Sequence, residues 1–209
     1  MDNLVVIHIG KCGGSSVWRE LKSKNIKHSA VHVKEAIYKP NENYVIVIRN
    51  PIKRFISAFN WRHYLVCENK RDKTRFKNEK NILNQYQNVD NLCDDLKINP
   101  YIFNGSPSSG KYIHHLKEDI DFYLKTFINK CPKKQILGVI CTETLKEDMK
   151  NIFDIDVIER GKDNSKYNKI ITDKSYEILK NYLKNDYTII DQMYEYGWIS
   201  DKQYTILKS

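Results

Sequence analysis

Residues Leu4 to Leu21, LVVIHIGKCGGSSVWREL, decide the fold. Leu4, Val5, Val6, Ile7 and Ile9 form an apolar, β-branched run of strand length. Gly10 ends the run, and Gly13 and Gly14 allow backbone angles closed to other residues. Ser15 or Ser16 then caps a helix that begins near Val17. A strand, a glycine turn and a helix start together make an anion site, because unpaired N–H groups and the positive helix end point at one spot. Lys11 adds a full positive charge. The ligand suited to this pattern is a phosphate or a group built like one.

A plain strand-to-helix connection would use the same glycines, so the pattern needs support from elsewhere. Neither of two better-known phosphate loops fits. The Walker loop has its lysine after the last glycine, whereas Lys11 follows the first and Ser15 follows Gly14. In a phosphatase loop a nucleophilic Cys is paired with an Arg at a fixed later place, and Arg19 falls one place too far from Cys12. Cys12 therefore reads as a small loop residue.

Support comes from Tyr44 to Arg62, YVIVIRNPIKRFISAFNWR. Val45 to Ile48 is a second buried strand by composition. Arg49 stands at its carboxyl end, Asn50-Pro51 turns the chain, and Pro51 suits the first turn of a helix. Phe55, Ala58 and Phe59 recur at helical spacing, with Ser57 early on that helix. Open α/β sheets bind ligands at the carboxyl ends of their strands. Arg49 and the first loop would then face one crevice, which suits a ligand with phosphates at both ends.

These two stretches resemble a family. HIGKCGGSSVWREL is similar to the 5′-phosphosulfate loop of PAPS-dependent sulfotransferases, often H-I-P-K-T-G-G-T-S, with Gly10 in place of Pro and Cys12 in place of Thr. RNPIKRFISAFNWR resembles their 3′-phosphate motif, R-[DN]-P-x-x-R-x-x-S-x-[YFW], and matches at Arg49, Asn50, Pro51, Arg54, Ser57 and Phe59. The flavour is that of the carbohydrate (heparan-sulfate-like) branch. ILGVICTETLKEDMKNIF echoes the family's late strand and helix, and KNYLKNDYTIIDQMYEYGW its C-terminal helix.

The resemblance implies a P-loop-NTPase-like three-layer α/β fold, with a central parallel sheet flanked by helices. It also implies transfer of the sulfuryl group of PAPS to an acceptor hydroxyl, on a carbohydrate or a small molecule, with no metal. By the same resemblance Lys11 would touch the 5′-phosphosulfate, with Cys12, Gly13, Gly14, Ser15 and Ser16 completing the cradle. Arg49 and Ser57 would grip the 3′-phosphate, while Arg54 would either join them or pair structurally. Related enzymes place a catalytic histidine between the two motifs. His32 is the favoured base, with His28, His63 and Glu35 as alternatives, and His8 reads as structural within its strand. The spacing of His28 and His32 would suit a metal on a helix, but the surrounding residues read as strand.

A length of 209 residues suits one compact domain, and 41% hydrophobic residues suffice for its core. The net charge of +9 favours anionic ligands. It would also suit nucleic acid, but the charge is spread along the chain and no arginine-rich run, zinc-finger spacing or RNA-binding aromatic signature is present. No nucleic-acid partner is therefore expected. Five cysteines without a C-x-x-C pair argue against a disulfide framework or zinc knuckle. No N-terminal signal precedes the first strand and no apolar run reaches transmembrane length, so the expectation is a cytoplasmic protein without a membrane anchor.

Along the chain, 28–33 reads as a short strand, 136–141 as a core strand and 143–152 as a helix. Residues 62–80 read as an exposed charged helix or loop, 81–96 as loosely helical, 118–131 as amphipathic and 174–196 as the last helix or helices. Residues 62–115 are expected on the acceptor side of a single domain, where Tyr64, Tyr86, Tyr101 and Tyr112 would stack on sugars or pack, and one of His114 and His115 would meet the acceptor. The basic loop 160–169 would close over the nucleotide. Two other readings stay open. One is a nucleotide-dependent kinase of related fold, against which the position of Lys11 and the lack of a Mg²⁺ carboxylate pair argue. The other is a basic nucleotide- or nucleic-acid-binding module.

Overall fold

The structure is a computed structural model that describes residues 3–69, 74–76, 78–100, 112–158 and 169–209. Outside these lie Arg71, Lys73, Lys77, Tyr101, the segment 104–110 and all of the basic loop except Lys169. The chain divides into two compact units. One comprises Met1–Pro51, Glu118–Gly161 and Asn185–Ser209; the other comprises Ile52–Lys117 and Lys162–Lys184.

The first unit is an α/β layer structure on an all-parallel sheet of four strands, among the described residues: β1 (Leu4–His8), β2 (Ser29–Val31), β3 (Asn43–Ile48) and β4 (Ile136–Cys141). Leu4 to Ile7 and Tyr44 to Ile48 are all buried. Side chains alternate between faces along a strand, so unbroken burial means both faces are covered. Each such Val, Leu or Ile contributes about 1.5–3 kcal/mol by leaving water.

The strand order is β2-β1-β3-β4. The chain therefore leaves β1 to one side, and β3 and β4 build on the other. The reversal lies between β1 and β3, where a parallel sheet opens a crevice at its carboxyl edge. The expected first loop and Arg49 follow these two strands.

Helix α1 (Gly14–Ser23) follows β1 and buries Val17, Glu20 and Leu21. It starts three residues before the expected Val17. Its N-cap is Gly13, with no side-chain cap, so Ser15 and Ser16 belong to the first turn and are not caps. Helix α2 (Pro51–His63) begins at the expected proline and carries the chain into the second unit.

That unit also holds α3 (Glu79–Leu83), α4 (Val89–Ile98) and a later helix, α7 (Asp173–Tyr182). Here α4 packs on α7, and Asp90 accepts from the Thr172 N–H and hydroxyl, each at 3.0 Å. The expected exposed stretch 62–80 proves partly internal. Arg62 and Glu79 are buried together, bonded at 2.8 and 2.7 Å, and the Glu79 carboxylate also accepts from the Arg75 and His114 N–H groups. Charge count alone does not reveal that two opposite charges pair across seventeen residues.

The first unit is completed by α5 (Ile120–Leu124), α6 (Leu145–Phe153), α8 (Lys184–Glu195, of which Lys184 belongs to the second unit) and α9 (Asp201–Lys208). The α9 helix is absent from the sequence expectations. Ser200 and Gln203 form a capping box at its start. Its two ends are tied to β4 and α6 on one side and to the loop after β3 on the other. At one end Gln203 donates to the Val139 carbonyl at 2.9 Å and to Asp148 at 3.1 Å. At the other, Asn50 donates to the carbonyls of Leu207 and Ser209 at 3.1 and 2.6 Å. Asn50 thus satisfies carbonyls that a helix C-terminus leaves unpaired. Among the described residues no helix is long and apolar enough to cross a membrane.

Candidate functional site at the carboxyl edge of the sheet

In strand order, the first unit sets four groups just past its strand ends: His32 after β2, Lys11 after β1, Arg49 after β3 and Glu143 after β4. Neighbouring strands lie about 4.8 Å apart, so the row follows directly from the sheet order.

The loop after β1 is tight. The Cys12 N–H donates to the Ile9 carbonyl at 3.3 Å, and the Ser16 N–H to the Gly13 carbonyl at 2.9 Å. Two residues take left-handed backbone, Gly13 at φ 77° and Lys11 at φ 69°. For a lysine this costs of order 1 kcal/mol. Gly14 needs no special angle; space restricts it instead. A β-carbon there would fall 1.9 Å from Cδ2 of His8, so the His8 ring lies against the first residue of α1. The amides of Gly14 and Ser15 stand ahead of the first closed helical turn, without intrahelical acceptors. The Cys12 side chain is fully buried, its thiol 3.7 Å from the Gly10 carbonyl, so only its backbone can serve the loop.

His8 lies within β1, as expected. It ends β1 and its ring faces the loop, stacked on His32 with centroids 4.3 Å apart and planes 16° from parallel. Burial, then His32 and Lys11, press its pKa from 6.5 down to about 4, so the ring is neutral at neutral pH. His32 itself is exposed. Of the other candidate bases, His28 precedes β2 and so stands at the opposite, amino edge of the sheet, with Nδ1 2.9 Å from the Ile26 carbonyl. Glu35 is exposed beyond β2.

Arg49 and Glu143 form a loose pair, Nε to Oε1 at 3.5 Å, both side chains partly open to solvent. Thr142, before Glu143, donates its hydroxyl to the Ile48 carbonyl at 3.2 Å and borders Gly13. Asp148 fixes this corner by accepting from the Cys141 N–H at 2.8 Å and the Thr144 hydroxyl at 2.7 Å. Burial pushes the Asp148 carboxyl above its ordinary range. Sequence reasoning passed over Glu143 as an ordinary helix residue and missed Thr142. Only the pairing of β4 with β3, whose last pair is Ile48–Cys141, brings them beside Arg49.

The remaining expected residues belong to the second unit. Ser57 is partly exposed on α2. Arg54 is fully buried and donates from Nη1 to the His115 carbonyl at 2.7 Å, which is the structural pairing. His63 stacks on Phe59 and meets Glu68 at 3.2 Å. His114 and His115 are buried and stacked on each other at 3.7 Å. Tyr86 and Tyr112 pack internally: Tyr86 bonds Asp95 at 2.9 Å, and Tyr112 meets the edge of Phe76. Tyr64 is tilted against Trp61.

The edge row can therefore hold an anion at a helix start beside an ammonium, hold a second anion at a guanidinium one strand away, and offer an imidazole at its end. No family model, no curated protein and no solved structure matches this chain.

Proposed function

We propose that this protein is a PAPS-dependent sulfotransferase, with a carbohydrate hydroxyl as the favoured acceptor. The observation that carries the reading is the meeting of both motif-bearing loops at the switch point between β1 and β3. Sequence resemblance set Lys11 and Arg49 at opposite ends of one nucleotide, and adjacent parallel strands end beneath them.

Transfer needs negative charge neutralised on the phosphosulfate and a proton taken from the acceptor. The acceptor oxygen attacks sulfur, and the bond from sulfur to the bridging phosphate oxygen breaks with its electron pair staying on the phosphate. Lys11 and the N–H groups at the start of α1 stabilise that charge. Arg49 anchors the 3′-phosphate, a role for which a planar guanidinium suits. Its contact with Glu143 is long and single, so a phosphate displaces it at small cost.

The test is calorimetric titration of the protein with PAP, followed by transfer from radiolabelled PAPS to pooled glycans, lipids and metabolites. Arg49→Ala should weaken PAP binding at least tenfold, and Lys11→Ala should chiefly lower turnover. No heat with PAP, or unchanged binding in both variants, would overturn the reading. Consumption of ATP with magnesium in its place would favour the kinase.

A further inference from the structure

Two imidazoles meet where β1 and β2 end. Ile7 pairs with Val31, so one further register step sets His8 beside His32 on the same face of the sheet. Their rings stack, and Nδ1 of His32 lies 2.9 Å from the main-chain carbonyl oxygen of His8. A carbonyl oxygen only accepts. Nδ1 of His32 therefore carries a hydrogen, and in the neutral ring Nε2 carries the lone pair. His8 is itself held. Its ring lies on Gly14, so the α1 start, the His8 ring and the His32 ring form one stack. The low pKa of His8 keeps this platform uncharged when its neighbour gains a proton.

We propose that His8 is a positioning residue, whose carbonyl and ring hold His32 as the Nδ1–H tautomer with Nε2 as the nitrogen that takes up a proton. The identity of that proton rests on the sulfuryl-transfer reading. As the acceptor oxygen bonds to sulfur and PAP departs with the electron pair of the broken bond, the hydroxyl proton passes to Nε2. The stack joins base and loop mechanically, because the ring that orients His32 also sets the approach of Gly14. A free histidine has no such constraint and populates both tautomers.

Long-range ¹H–¹⁵N spectra of the full-length protein report the tautomer of His32 without any substrate. Every variant at position 8 keeps the main-chain carbonyl, so the comparison tests whether the stacked ring holds His32 against it. Wild type and His8→Phe, which keeps a flat ring, should both show His32 protonated at Nδ1. His8→Ala should show a mixture. In the transfer assay His8→Ala should lower kcat about tenfold, less than the full loss of a base, with the KM for PAPS unchanged, and His8→Phe should restore it. A His32 protonated at Nε2 in wild type, or loss of the Nδ1 form in His8→Phe, would overturn the proposal. An unchanged tautomer in folded His8→Ala would do the same, and should that variant not fold, the other two spectra decide. If the spectra come out as expected but PAP gives no heat, the sulfuryl-transfer reading alone falls.

Discussion

The molecule contains two arginine–glutamate pairs of opposite character. Arg62 and Glu79, in the second unit, are buried, doubly bonded at 2.7 and 2.8 Å, and the carboxylate accepts two further main-chain N–H groups. Arg49 and Glu143, at the sheet edge of the first unit, share one contact at 3.5 Å and stay partly open to solvent. In the first pair both carboxylate oxygens accept two bonds each, so its charges are spent on the fold. The second pair is under-bonded, so its guanidinium stays available. Identical side chains become scaffold or site according to how completely their neighbours satisfy them.

That contrast can be broken most forcefully at Glu79. Glu79→Ala leaves a buried guanidinium without its carboxylate, and unfolding in urea should show a loss of about 3–5 kcal/mol. Glu143→Ala should change stability by no more than about 0.5 kcal/mol. Equal losses would erase the distinction.

Next in size is the pH dependence of the first unit's edge. His8 binds its proton near pH 4 when folded and at 6.5 when unfolded. Between these values the unfolded chain holds more protons, so stability falls as the pH is lowered. The contribution is complete above pH 6.5 and amounts to about 3 kcal/mol lost by pH 4. His8→Phe should flatten that slope in urea titrations run across this window, and an unaltered slope would assign it to other groups.

The loop offers a smaller test. Gly14→Ala drives a methyl into the His8 ring and should cost about 1–3 kcal/mol. Gly13→Ala should cost about 1–2 kcal/mol through its left-handed backbone alone. Lys11→Gly, at the same kind of angle, should be neutral or stabilising by up to about 1 kcal/mol while removing the charge. Thermal melts of the three variants separate crowding from strain.

Smallest in energy, and sharpest for function, is Glu143→Gln. Removing the carboxylate that occupies Arg49 should tighten PAP binding by up to tenfold, about 1.4 kcal/mol. Weaker binding would show that Glu143 orients Arg49 rather than competing for it.

Much of the frame was legible because it is written in short windows. The β1 and β3 runs are apolar on both faces, as parallel strands require, and Pro51 marks the start of α2. The 136–141 strand falls where composition put it. Local signals misled where packing assigned the roles. Ser15 and Ser16 have capping chemistry, yet the helix starts ahead of them at Gly14, and the N-cap is Gly13, whose left-handed angle closes the turn. The charges of 62–80 suggest solvent, yet Arg62 and Glu79 neutralise each other inside. The capping box at Ser200 was a readable signal for α9, and it went unused.

By itself, then, the chain's order of residues determined that parallel strands would form and that an ammonium and a guanidinium would each follow one. Burial preference and turn chemistry act between near neighbours, and both can be read without a fold. Only the tertiary structure decided that β3 lies beside β1, that His8 stacks on a histidine twenty-four residues away, and that Glu143 answers Arg49. Sheet order and register set these meetings, since a strand's hydrogen bonds accept any partner whose apolar face matches, and the match is settled by the whole core at once.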